Sequence, residues 1–92
     1  MTEDKVEGYL VERVEATGGL IRKVVFPARR GAPDRLCGWP NGRHGFVETK
    51  RPKGKPEAHQ EREHDRLRSV GFDVAVIATR EAVDEYVERM SG

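Results

Sequence analysis

The chain has 92 residues, of which 36% are charged and 36% apolar, and its 17 Lys and Arg nearly balance its 16 Asp and Glu. This length predicts one domain over residues 1–92, with a thin core that a partner subunit would help to complete. No apolar run approaches the roughly 18 residues of a membrane span, and the first residues are acidic and polar, so we expect neither a membrane protein nor a signal peptide. The lone cysteine, Cys37, suits a reducing cytoplasm, where we expect the protein to reside.

Although the net charge is near zero, the positive and negative residues are unevenly distributed along the chain. Residues 19–55 carry ten Lys and Arg against two Asp and Glu, whereas the segments on either side are net acidic. A basic centre favours an anionic partner such as a phosphate backbone. A solvated loop that keeps a small protein in solution is the alternative interpretation.

The first half of the chain predicts one helix and three strands. Apolar residues first recur at three- and four-residue spacing, until Gly18-Gly19 supplies a helix end. Stretches rich in β-branched and aromatic residues follow, and Asn41-Gly42 is typical of a hairpin between two of them. The predicted bounds are 3–17 for the helix and 20–26, 34–39 and 44–50 for the strands.

The second half predicts a helix over 57–70, a short apolar strand over 72–78 and a last helix capped by Thr79. The order α-β-β-β-α-β-α predicts an α/β fold with one mixed sheet flanked by helices. The last helix carries one apolar stripe, formed by Ala82, Val83, Tyr86, Val87 and Met90.

Several charged residues lie where a simple core would not place them. Glu7 shares the apolar face of the first helix with Leu10 and Val14, where it either reaches out to water or binds something. Asp34 follows Pro33 at the start of a strand, either as a turn residue or as a ligand.

Glu48 and Lys50 lie two residues apart on a predicted strand, so both point to one face, about 6.6–6.8 Å apart along it. Phe46 shares that face. The pair is either an ordinary exposed strand end or the arrangement that holds a divalent cation beside a water molecule. In the second case the carboxylate binds the cation, and the ammonium orients the water and offsets phosphate charge.

Together these residues resemble a known family. Pro33-Asp34, followed after thirteen residues by Glu48-Thr49-Lys50, reproduces the PD-(D/E)XK nuclease signature. Over residues 3–87 the chain resembles the VRR-NUC (virus-type replication-repair nuclease) domain of that superfamily, in its small stand-alone phage and bacterial form. The matching segments are 18–19, 23, 29–35, 45–50 and 60–64, with Leu67 and Gly71.

The resemblance implies a restriction-endonuclease-like core and a role for each matching residue. Glu7, Asp34 and Glu48 would bind the metal together with the carbonyl of Thr49, and Glu3 is the alternative first-helix ligand. Asp34, Glu48 and Lys50 would be catalytic, and Gln60 would support them by hydrogen bonding. Independently of the family, hard oxygen ligands suit Mg²⁺, with Mn²⁺ as a substitute, better than zinc.

The function that follows is structure-specific DNA endonuclease activity by metal-assisted phosphodiester hydrolysis. Since no element looks like a base-reading helix, we expect recognition of nucleic-acid shape, and no small-molecule cofactor. The residues expected to grip DNA phosphates are Lys23, Arg29, Arg30, Arg35, Arg51, Lys53 and Lys55.

The resemblance also implies an oligomeric state and a class of DNA substrate. Small members of the family resemble Holliday-junction resolvases that work as homodimers, so we expect a homodimer acting on branched DNA. Leu36 and Trp39, or the apolar stripe of the last helix, would supply the shared face. A binding module that does not cut, and a nuclease subunit that needs a helicase, are the alternatives.

Three further interpretations concern a zinc site, Trp39 and His64. Structural zinc is disfavoured, because Cys37, His44, His59 and His64 lack paired zinc spacing. Trp39 is either a base-stacking residue or, as is more usual for tryptophan, a partly buried anchor. His64 is either a general base, for which the sequence has no nucleophile motif, or, as we expect, a solvated residue of its helix.

Overall fold

A computed structural model of the protein describes residues 3–51 and 54–92, without the side chains of residues 3 and 4. The predicted order of helices and strands is confirmed. In the described part of the chain, no helix has the length and apolar character to span a membrane. The elements are α1 (Glu3–Ala16), β1 (Leu20–Lys23), β2 (Arg35–Gly38), β3 (His44–Thr49), α2 (Ala58–Ser69), β4 (Val74–Ile77) and α3 (Arg80–Ser91).

The four strands form one mixed sheet in the order β1-β2-β3-β4. The first two pairs are antiparallel and the last, between β3 and β4, is parallel. Parallel neighbours need a long crossover connection, and α2 provides it. The predicted α/β fold with a mixed sheet and flanking helices is therefore confirmed.

The sheet has two unlike faces. On one face, Cys37 and Val47 are fully buried and pack with α1 and α3 into the core. The other face carries Phe46 and Glu48, and α2 lies on this side, since its residues line a cavity with Val76, the β4 neighbour of Glu48. The core comprises Val6, Leu10, Val14, Ile21, Cys37, Trp39, Val47, Ile77, Val83, Tyr86, Val87 and Met90.

The first strand is shorter than predicted. It was expected to reach residue 26, but β1 ends at Lys23, and only the N–H of Val24 still donates to the Asp34 carbonyl, at 2.9 Å. Because β2 begins at Arg35, residues beyond Val24 have no partner strand. Val25 is 82% exposed as a result.

The two surfaces predicted to contact a partner subunit are for the most part not available, because most of their residues are buried in the core of the same chain. Trp39 is buried, its indole N–H donates to Thr17 Oγ1 at 3.0 Å, and its ring packs edge-on against Tyr86. Trp39 is thus a buried anchor and not a base-stacking residue. The stripe of α3 is likewise buried with α1 except for Ala82, which is partly exposed, as is Leu36.

Gly31 joins the loop before β2 to the start of α2. Its φ is +80°, and a Cβ built on it would lie 2.8 Å from the α-carbon of Gln60 and from the His59 carbonyl oxygen. Only glycine satisfies both the left-handed backbone and this close approach. The loop that leads to Asp34 is therefore packed directly against the first turn of α2.

We expect Gly31→Ala to lower the free energy of unfolding by about 1–3 kcal/mol more than Gly42→Ala does. Gly42 is the matched control, because its φ is +88° but nothing lies within 4 Å of its added Cβ. Urea unfolding of both variants measures the difference. Equal losses would show that the contact with α2 contributes nothing.

Candidate active site

The strand register brings Asp34 and Glu48 together. Asp34 directly precedes β2, and its carbonyl accepts the Val24 N–H, so it belongs to the ladder. The β2–β3 register pairs Arg35 with Val47, and one further step sets Asp34 opposite Glu48. Directly opposite residues share a face, with Cβ atoms about 4.5–5.5 Å apart. The two carboxylates therefore lie side by side, although thirteen residues separate them in the chain.

Both carboxylates are largely withdrawn from water. Glu48 is 8% exposed, and Asp34 Oδ1 is buried without a hydrogen-bond partner among the described residues. A buried polar atom without a partner costs about 1–3 kcal/mol. Such a cost is typical of a functional site, and an oxygen of this kind suits a cation.

Lys50 lies beside this pair. Its N–H donates to the Ile77 carbonyl at 2.8 Å, which continues the β3–β4 pairing one residue past the end of β3. The side chain consequently points to the face of Glu48, and Lys50 Nζ lies 3.5 Å from Glu48 Oε2. Thr49, between them, has its side chain buried on the core face, where it pairs with Ile77.

Glu7 is engaged elsewhere. Its carboxylate forms an ion pair with the Arg35 guanidinium, whose Nη1 also lies 3.5 Å from the Asp34 carbonyl oxygen. Within the described ranges, no three His, Cys, Asp or Glu side chains form a group that could hold a metal ion. The structure thus joins Asp34 with Glu48 but pairs Glu7 with Arg35. The side chain of Glu3, the alternative ligand, is outside the described residues.

Gln60 occupies the first turn of α2. Its Oε1 accepts the backbone N–H of Glu57 at 2.9 Å, which caps the helix. Its backbone packs against the loop at Gly31. In this structure Gln60 therefore fixes the helix start and the loop that delivers Asp34.

The predicted basic residues flank the carboxylate pair along the chain. Arg29 and Arg30 are exposed in the loop before Asp34, and Arg51 and Lys55 are exposed after Lys50. Lys23 is exposed at the end of β1, and Lys53 lies outside the described residues. Arg35 differs from this group, because its side chain is only 15% exposed and is paired with Glu7.

His64 is a residue whose place sequence reasoning missed. It was expected to be solvated, but it is 1% exposed, and its Nε2 is buried with no hydrogen-bond partner in the described part of the chain. Burial lowers the pKa of His64, and Arg68 and Lys50 lower it further. The spacing of Gln60, His64 and Leu67 at i, i+4 and i+7 was the available signal for this face.

We expect the free energy of unfolding to fall as the pH drops below about 6.5, the ordinary histidine pKa. The reason is that the unfolded chain then binds a proton that folded His64, with its lowered pKa, resists. One site contributes at most about 1.4 kcal/mol per pH unit. Urea unfolding at pH 7.5 and 5.5 measures this loss, which His64→Gln should reduce and His44→Gln, at an exposed position, should not. An unchanged pH dependence in His64→Gln would contradict the assignment.

Comparison with known proteins identifies the family of the chain. No family model matches the chain. A protein of Acyrthosiphon pisum secondary endosymbiont phage 1, named "Putative nuclease p44", is 47% identical over 79 residues, which cover 86% of this chain and 85% of that one. A solved structure titled as a VRR-NUC domain superimposes with a TM-score of 0.86 and 43% identity, over 96% of this chain and 97% of the other. The chain therefore belongs to the VRR-NUC nuclease family.

Proposed function

We propose that the protein is a metal-dependent endonuclease that hydrolyses DNA phosphodiester bonds. The observation that carries this proposal is the pair of opposed carboxylates, Asp34 and Glu48, with the partnerless buried Asp34 Oδ1 and with Lys50 Nζ 3.5 Å from Glu48. Family membership supports the same reaction class.

The oxygen donors fit a magnesium ion. Mg²⁺ commonly binds through only one or two protein carboxylates and keeps several waters, so a site with two carboxylates is sufficient. Asp34 and Glu48, with the Thr49 carbonyl, would hold the ion, and Mn²⁺ would substitute for it. When bound, the ion would supply Lewis-acid activation of the phosphate and a lowered pKa of a bound water.

Lys50 acts on the phosphate and the attacking water. Its ammonium donates a hydrogen bond to the water and offsets the negative charge that grows on the phosphate oxygens. The low exposure of Glu48 keeps the local dielectric low, which strengthens each of these interactions. Gln60 serves this chemistry indirectly, by holding the loop that presents Asp34.

A role for Glu7 as a third metal ligand is supported only by the resemblance to the VRR-NUC domain. Its pairing with Arg35 ties α1 to the first residue of β2, next to Asp34. We propose that Arg35 positions this helix and strand in relation to each other instead of gripping DNA. The carboxylate pair on the sheet is the part of the metal site that the geometry supports.

The exposed basic residues would bind the DNA backbone on both sides of the carboxylate pair. Arg29 and Arg30 precede Asp34 in the chain, and Arg51 and Lys55 follow Lys50, with Lys53 between them. Contacts of this kind carry no sequence information and weaken as salt rises. Recognition would therefore depend on DNA shape.

We further propose a homodimer acting on branched DNA. Support comes from β1, an edge strand that pairs only with β2 and carries Leu20 at 63% exposure. Beside it, Leu20, Trp39 and Pro40 line a mostly apolar groove of about 500 Å³. The exposed Leu20 and the groove beside it would suit a second copy related by a two-fold axis, which would present two sites to a symmetric junction.

We expect Lys50→Ala to lower the rate of DNA cleavage in Mg²⁺ by about 10²–10⁴-fold, with DNA affinity changed by only a fewfold. Arg62→Ala, which removes an exposed cation from α2, is the control and should cleave at the wild-type rate. Gel assays of labelled DNA with saturating enzyme measure the rates, and EDTA should abolish them. Tight binding without cleavage in any metal would instead favour a module that only binds branched DNA.

The wild type should place paired, symmetric nicks in a four-way junction, as end-labelled strands on a sequencing gel would reveal. Leu20→Asp should give monomers in sedimentation and unpaired nicks, because it puts a charge on the β1 edge. Val70→Asp, at a 72% exposed site on the α2 end, is the matched control. Cleavage of flaps or duplex alone would keep the hydrolytic chemistry and overturn the junction-resolving role.

A further inference from the structure

Three phenylalanines form a continuous row on the sheet face of Glu48. The Phe26 and Phe46 ring centroids are 5.4 Å apart at an interplanar angle of 66°, and those of Phe46 and Phe72 are 5.4 Å apart at 59°. These are all the phenylalanines of the sequence. We call Phe26, Phe46 and Phe72 the aromatic row.

The aromatic row is not needed to complete the core. None of its members belongs to the buried cluster between the sheet, α1 and α3. The helix on this side, α2, buries Glu63 and His64 and no apolar side chain. Phe72 remains 42% exposed, and Phe26 and Phe46 are both partly exposed. Aromatic side chains normally contribute most when they are buried, so a half-covered row is an unusual use of them.

The surroundings of the row identify its partner. Phe46 precedes Glu48 by two residues on the same strand, so the row is continuous with the proposed active site. Phe26 leads into the loop that carries Arg29 and Arg30. At the opposite end, Phe72 lines a cavity of about 370 Å³ with Arg68, Asp73 and Arg89. The two arginines there are each paired with an acid, Arg68 with Asp65 and Arg89 with Asp73. An aromatic surface that adjoins the proposed active site and the exposed Arg29 and Arg30 suits nucleic-acid bases whose phosphates lie alongside.

We propose that the aromatic row stacks unpaired bases of the DNA substrate beside the cleavage site. This inference rests on the proposed nuclease function and adds a substrate class, DNA with splayed or unpaired nucleotides. Bases inside a duplex are stacked on one another and offer no face to the row, whereas unpaired bases do. The row thus gives a preference for opened structures without reading sequence.

Phe72→Leu tests this proposal, since it keeps an apolar side chain but removes the aromatic face. With Ca²⁺ in place of Mg²⁺, and with the DNA shown to be intact on gels, fluorescence anisotropy compares a splayed-arm DNA with a fully paired duplex of equal length. Stacking of one base predicts about a fivefold or greater loss of splayed-arm affinity, with duplex affinity unchanged. Val70→Ala, at an exposed apolar residue outside the row, should bind both as the wild type does.

Phe72→Trp provides a positive readout. It should restore splayed-arm affinity, and the fluorescence of the new indole should be quenched by the splayed DNA but not by the duplex. Trp39 adds only a constant background, because it is buried in the core.

The remaining outcomes overturn the proposal in distinguishable ways. If the wild type cuts DNA but Phe72→Leu loses no splayed-arm affinity, or loses both affinities equally, the row does not stack bases. If Phe72→Leu instead dissociates a dimer in sedimentation, the row is a subunit contact. If the wild type neither binds nor cuts DNA, the proposed nuclease function fails, and the row proposal fails with it.

Discussion

The register between β2 and β3 is the constraint on which the candidate site depends. Because side chains alternate between faces, a slip of one residue would turn Glu48 toward the core and Val47 toward solvent. The Asn41-Gly42 turn holds this register, with Gly42 at a φ of +88° and the Asn41 amide donating to the Met90 carbonyl at 2.8 Å. The hairpin is thereby anchored to the end of α3. The position of the carboxylate pair and the packing of the core are thus fixed by the same strand pairing.

The two faces of the sheet have different roles: one forms the core, and the other carries the candidate active site. One face packs against α1 and α3 and contributes to the main apolar core, which is thin because the chain has only 92 residues. The other face carries Asp34, Glu48 and Lys50, together with the aromatic row, under a helix that buries only Glu63 and His64. Polar and half-covered aromatic groups on this face stabilise the fold less than further apolar burial would, as expected where function competes with stability.

Local patterns in the sequence predicted most of the fold. As predicted, α1 and α2 end just before a glycine at positive φ, Gly18 and Gly71 respectively. The hairpin turn lies at Asn41-Gly42, which was also predicted. Errors arose where a residue's state depends on a distant partner. The first strand was overestimated because β2 begins only at Arg35. The burial of His64 was missed because it depends on how α2 packs on the sheet.

The element order, the basic centre and the shared face of Glu48 and Lys50 could be predicted without a structure, since they follow from periodicity and composition over short stretches. The folded structure was needed to show that His64 is buried. It also shows two contacts that the sequence did not predict: Glu7 pairs with Arg35, and Phe26, Phe46 and Phe72 form one row. Each of these contacts joins residues far apart in the chain. Their formation depends on how the helices pack on the sheet, which no local pattern encodes.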